Sequence, residues 1–185
     1  MRYIGAWCVL VTAVLWMLTS GCASSEPELP WATDARYGIF QTRDIERAQK
    51  EIPFQIIVPS FLPAELHPYP AIMGPLNGQS DSELEVRISY QTVETLDGYI
   101  EIYEWNYRRT GGDPRLNPDL AEVQIAGQKV VQREHTFSPV GGYTRVDLPG
   151  FIFYWNTDNV YFKAAVYGYD YDTAVRVVES MIQQM

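Results

Sequence analysis

Hydrophobic positions recur along this chain in three patterns, and each predicts a different kind of element. The first is a nearly continuous apolar block from Ile4 to Leu18, broken only by Gly5 and Thr12 and preceded by Arg2. About 15 residues is short for a membrane span, which needs roughly 20. A positive start, a short apolar middle and the small residues before Cys22 describe a secretory leader over 1–21. The second pattern is helical. Ile45, Ala48 and Ile52 fall at i, i+3, i+7, with Thr42 or Asp44 to cap and Pro53 to stop, and predict a short helix over Thr42–Glu51. Val175, Val178 and Ile182, widened by Ala174 and Met181, predict a last helix from Thr173 to about Gln184, capped by Asp170 or Asp172.

Between the helices the period is two. Leu84, Val86, Ile88 and Tyr90 alternate with Glu85, Arg87 and Ser89, the mark of a half-buried antiparallel strand. Asp97-Gly98 signals a hairpin into Tyr99–Tyr107, which sets Tyr99, Glu101, Tyr103, Trp105 and Tyr107 on one face and Ile100 and Ile102 on the other. Ala121–Ile125 and Lys129–Glu134 predict a hairpin around Ala126-Gly127. Tyr143–Leu148 reads as a strand ended by Pro149-Gly150. Phe151–Trp155, apolar on both faces, reads as a central strand, and Val160–Tyr167 follows a Thr157–Asn159 turn. The β-branched run Phe54–Val58 predicts a further strand, and Tyr69–Met73 an edge strand, because flanking prolines favour edges. The class expected is α+β: a twisted, mostly antiparallel sheet of six to eight strands, with a short N-terminal helix and a C-terminal helix packed on one face.

Composition narrows the picture. Hydrophobic residues make up 46% of the 185 and aromatics 14%, which argues against disorder and for one cored domain over 42–185. Residues 22–41, with Pro27 and Pro30, read as an extended tether, with order expected to begin near Tyr37. Of the 14 basic residues Arg2 leaves with the leader and no acid does, so the net charge moves from −9 to −10. That excludes nucleic acid as a partner class and disfavours lying flat on anionic lipid.

Thr19-Ser-Gly-Cys22 resembles the lipobox of bacterial lipoproteins. The resemblance implies cleavage before Cys22 and a thioether-linked diacylglycerol on it, placing the chain on the extracytoplasmic side of a cell membrane, lipid-anchored. An ordinary cleaved signal and an uncleaved anchor helix are the other readings. Acylation explains why Cys22 is the only cysteine left after the leader goes, since Cys8 leaves with it. Two acyl chains suffice for stable anchoring. Ala23 resembles the outer-membrane-sorted pattern of enterobacteria, for an envelope that has an outer membrane.

A second resemblance covers about 42–183. Pro53-Phe54-x-Ile-x-Val-Pro59-Ser-Phe-Leu-Pro63, the strand Val86–Tyr90, Val123-x-Ile-x-Gly127, Trp155, Asp158 and Tyr161, and a final helix with Glu179-Ser180 look like an uncharacterised domain family. That family occurs at the extracytoplasmic ends of lipoproteins and anti-sigma-factor-like membrane proteins. It implies no catalytic residues, and it usually shows a Gly-Tyr pair where this chain has Ala64-Glu-Leu-His67.

Catalytic chemistry is not legible. His67 and His135 are the two histidines, and no His/Cys/Asp cluster has metal-ligand spacing. Glu101 and Glu104 differ by an odd number and so fall on opposite faces of a strand, which does not support a glycosidase-like pair. There is no Gly-x-Ser-x-Gly elbow and no phosphate loop. No cofactor is implied. The aromatic stripe Tyr99, Glu101, Tyr103, Trp105, Tyr107 is the candidate binding face, unless it packs as core under a helix. The expectation is a non-catalytic envelope lipoprotein that binds or senses an envelope protein or cell-wall polymer. The competing class is an assembly or chaperone-like lipoprotein holding an apolar or lipid ligand in a cavity lined by Phe151, Phe153 and Phe162; a hydrolase comes third.

Overall fold

The computed structural model describes residues 40–76, 84–92, 97–106, 117, 119–138, 147–157 and 159–185. The leader, Cys22, most of the tether, Tyr107 and the greater part of the expected Tyr143–Leu148 strand lie outside them. Eight antiparallel strands form one sheet: β1 Phe40–Thr42, β2 Ala71–Leu76, β3 Glu85–Gln91, β4 Tyr99–Trp105, β5 Ala121–Ile125, β6 Gln128–Phe137, β7 Leu148–Asn156 and β8 Tyr161–Tyr167. Their spatial order is β1-β2-β3-β4-β8-β7-β6-β5. Two up-and-down halves, β1–β4 and β5–β8, therefore meet edge to edge along β4 and β8, with Ile102 opposite Ala164 at the centre of the seam.

The two helices are α1 Ile45–Glu51 and α2 Tyr171–Ile182. Asp44 caps α1 by accepting the Arg47 N–H at 3.1 Å, and Asp170 caps α2 by accepting the Thr173 N–H at 2.8 Å. These polar caps satisfy donors that the first turn of a helix leaves open. Ala48 of α1 and Ala174, Val177, Val178 and Met181 of α2 are fully buried in one core with Ile72, Ile88, Ile102 and Phe162 of the sheet. The buried stripe of α2 is thus rotated from the expected one: Val177 joins it, while Val175 and Ile182 stay at its margin.

Phe54–Val58 is not a strand. Residues 52–63 form a strap without ladder pairing, packed against the core that the sheet and helices share. Consecutive Ile56 and Ile57 are both buried. Pro53, Pro59 and Pro63 lack N–H donors, and side chains supply partners for several of the remaining backbone groups. Gln49 donates to the Ile52 and Phe54 carbonyls and accepts the Ile56 N–H. Glu104 accepts the Ile57 N–H on both oxygens, at 3.1 and 3.2 Å. Gln184 donates to the Val58 carbonyl, and the Ser180 hydroxyl accepts the Phe61 N–H.

Two further expectations need correction. The strand near Tyr69–Met73 is not an edge, because β1, which begins inside the span assigned to the tether, pairs outside it. Pro75 falls where the β2–β3 register shifts between Met73 and Leu76, so the bulge accommodates it. Pro149-Gly150 does not end a strand but lies within β7. The last β7–β8 pair is Gly150 with Tyr167, so Pro149 sits beyond the end of β8, where its missing N–H breaks no pair on that side. Its carbonyl accepts the Gly168 N–H at 2.9 Å. At the β5–β6 turn, Ala126 and Gly127 both have positive φ, 48° and 81°, the pattern that two-residue hairpins require.

Glu104 is fully buried, and burial holds its carboxyl well above the usual carboxylate range, partly offset by the Ile57 N–H. A carboxyl raised on folding binds more protons in the native state, so its contribution to stability declines as pH rises from the ordinary Glu range upward. Glu104→Gln keeps an acceptor and removes the charge. It is expected to flatten the pH dependence of urea unfolding above that range, whereas Glu104→Ala is expected to cost about 2–4 kcal/mol. An unchanged pH profile in Glu104→Gln would count against this role.

Candidate functional site

The alternation in β4 places Tyr99, Glu101, Tyr103 and Trp105 on the face opposite α1, α2 and the strap, while Ile100, Ile102 and Glu104 point into the helix-side core. The stripe is therefore not core under a helix. Register adds neighbours that the linear sequence separates. Tyr103 is opposite Arg87 of β3 on one side and Lys163 of β8 on the other; Glu101 is opposite Ser89 and Ala165.

The centre of this face is charged. The Tyr99 hydroxyl donates to Glu101 Oε1 at 3.1 Å, and Arg87 approaches the same oxygen at 3.8 Å. Lys163 Nζ lies 4.7 Å from the centre of the Tyr103 ring, within cation–π range. Aromatic clusters flank that centre. At one end Tyr99 stacks near Phe137 and Tyr167, with ring centres 5.4 and 6.4 Å away. The Tyr167 hydroxyl meets His135 Nδ1 at 3.1 Å. Leu148, Ile152, Ala165 and Tyr167 form a second small core here. Gly150 is required beneath it: a side chain at that position would strike the Val166 carbonyl. At the other end Trp105 stacks on Tyr161 at 5.8 Å.

Burial raises the Tyr99 and Tyr103 hydroxyls above the ordinary tyrosine range, reinforced by the Glu101 charge. The same two causes push Tyr167 up to about 12. These phenols remain proton donors throughout neutral pH. His135 moves the other way, lowered by its burial and then by Arg133 and Lys163.

Of the sequence-derived candidates, Tyr99, Glu101 and Tyr103 are half-buried, and Tyr107 lies outside the described residues. Trp105 needs correction: it shares the face but is only 3% exposed, so it is a packing residue rather than a contact for a partner. Its indole is covered because strand pairing lays Tyr161 alongside it. Nothing in the linear sequence marks Arg87 and Lys163 as members of this face. Their placement depends on which strands neighbour β4, and β8 comes from the far half of the chain.

Glu101 and Glu104 stand on opposite faces, so they cannot act on one bond. Among the described residues no group of three or more His, Cys, Asp or Glu side chains is placed to hold a metal ion, and no helix is long and apolar enough to cross a membrane. The residues expected to line an apolar cavity are packed. Phe153 and Phe162 are fully buried, Phe162 stacks on Trp155 at 5.1 Å, and Phe151 meets Tyr171 edge-on at 5.2 Å.

No family model matches the chain, and no curated protein matches it. Among solved structures it is similar to a crystal structure from Bacteroides thetaiotaomicron VPI-5482, determined at 1.50 Å, with 13% identity and a TM-score of 0.41. The match covers 63% of this chain and 41% of that one.

Two substitutions separate the packing and contact members of the face. Trp105→Ala is expected to destabilise the domain by about 3–5 kcal/mol, the usual cost of emptying a buried indole site. Tyr103→Ala is expected to cost about 1 kcal/mol or less. Urea titrations of both variants check this; equal losses would mean that Tyr103 is a core residue.

Proposed function

We propose that this chain is a bacterial cell-envelope lipoprotein, anchored through diacylated Cys22, whose domain is a non-catalytic binding or sensing module for an envelope protein or cell-wall polymer. The observation that carries the reading is the face around Tyr103, opposite both described helices. It presents half-buried phenols, a carboxylate and two cations on a rigid sheet. Tyrosine bodies supply contact area at low entropic cost and their hydroxyls supply direction, which suits recognition of polar polymers and peptides. The leader motif and the proline-containing tether support anchoring at a distance from the membrane. The filled packing of Phe153 and Phe162 weighs against a carrier of apolar ligands.

The reading makes two linked claims, and each has its own readout. Metabolic labelling with an alkyne fatty acid is expected to tag the full-length chain and to fail in Cys22→Ala. A photo-crosslinking residue at position 103 of the anchored chain is expected to give a discrete adduct in living cells, and one at Glu46 on α1 none. Label retained in Cys22→Ala would remove the lipoprotein assignment. Adducts equal at 103 and 46, or absent from both, would remove the binding face.

A further inference from the structure

On the helix-free side, where β2 and β3 lie beside the end of β1, a cleft of about 260 Å³ is lined by Arg43, His67, Tyr69, Ser89, Gln91 and Thr92, together with Ala71. The segment after the strap forms one wall. It is seated by a bridge between Leu66 and Thr92 and by the His67 N–H, which donates to the Gln91 carbonyl at 3.0 Å. His67 Nδ1 accepts the Tyr69 N–H at 3.2 Å, so the neutral ring carries its proton on Nε2. The two rings lie 5.4 Å apart.

Donors dominate this lining. It holds a guanidinium, two aliphatic hydroxyls, a phenol, an amide and an imidazole N–H, and among the described residues no Asp or Glu lines it. That is unusual in a chain with 23 acidic residues against 14 basic ones. Arg43 Nε is buried and finds no hydrogen-bond partner within the described residues. A buried charged donor left unpaired is costly, so the guanidinium at this cleft calls for an acceptor. An oxyanion supplies one, and the planar guanidinium fork matches carboxylate and phosphate geometry. The carboxylate of the neighbouring strand does not oppose this: Glu101 is already engaged by Tyr99 and Arg87. The volume is below the several hundred Å³ of sites that enclose a whole drug-sized ligand, and it suits a charged head group.

We propose that this cleft binds the anionic group, carboxylate or phosphate, of a small or polymeric ligand, with Arg43 as its counter-charge and the His67 Nε2–H as a hydrogen-bond donor, while the Ser89 hydroxyl stays turned to the Ala71 carbonyl at 3.5 Å. The site is separate from the Tyr103 face and stands whether or not that face has a partner.

The test uses the full-length ¹⁵N-labelled chain in nonionic detergent micelles, titrated separately with sodium phosphate and sodium acetate at constant ionic strength made up with sodium chloride. Saturable shifts of the Arg43 Nε–H and of the amides of residues 66–71 and 89–92 are expected with one or both anions. Arg43→Gln is expected to weaken binding about tenfold or more, and Arg43→Lys less, because it keeps the charge and loses the fork. Response to acetate alone assigns a carboxylate ligand, response to phosphate alone a phosphate, and response to both a general oxyanion site. Should Arg43→Gln not fold, Arg43→Lys and His67→Ala carry the comparison. Shifts that do not saturate, or that persist unchanged in the variants, overturn the proposal.

Discussion

The fold depends on keeping an irregular, proline-interrupted strap hydrogen-bonded beneath its helices. Burying backbone amides without partners would cost more than the strap's isoleucines return. Four side chains meet that need. Gln49 acts from α1, Glu104 from the middle of the sheet, Ser180 from α2 and Gln184 from just beyond it. The strap thereby ties the first half of the sheet to the helix that closes the second half. Glu104 is the most constrained of the four, because its carboxyl is removed from water and held on a single backbone N–H.

That arrangement divides the sheet's two faces by chemistry. Toward the helices the side chains are apolar apart from the few that serve the strap. Away from them, alternation in β3, β4 and β8 delivers phenols, Glu101, Arg87 and Lys163, which neutralise one another locally in a strongly acidic protein. The Arg43 cleft lies at the margin of the same side, where the chain leaving the strap folds over β2 and β3. Polar recognition chemistry and apolar packing thus occupy opposite sides of one layer.

How much of this was legible in the sequence follows from how local each cause is. Asp44 and Asp170, each one of two caps expected, act within one turn, and the helices begin just after them, at Ile45 rather than Thr42 and at Tyr171 rather than Thr173. The alternation in Glu85–Gln91 and Tyr99–Trp105, and the Ala126-Gly127 turn, are equally local, and those strands stand in place. Phe54–Val58 misled because its β-branched run has strand propensity but no edge to join; the partners of its backbone are side chains, from Gln49 nearby to Glu104 and Gln184, 47 and 126 residues away in sequence. Trp105 looked like a contact residue because Tyr161, which covers it, is a neighbour only once β8 docks beside β4. Arg43 carries no motif; its significance comes from a buried nitrogen without a partner at a cleft.

The seam between the two halves has a kinetic meaning. Every other strand pair except β1–β2 joins elements that follow one another directly, so each half can zip up from short-range contacts. The β4–β8 pairing instead joins residues 56 to 68 positions apart and must await both halves. Closure of that seam is the expected slow event of folding, since non-local pairing incurs loop-closure entropy before it gains contacts. Until it closes, β4 and β8 are unprotected inner edges, with the β-branched and aromatic sequences that invite pairing between chains. A nascent molecule is therefore most vulnerable to aggregation at what becomes the best-protected line of the finished sheet.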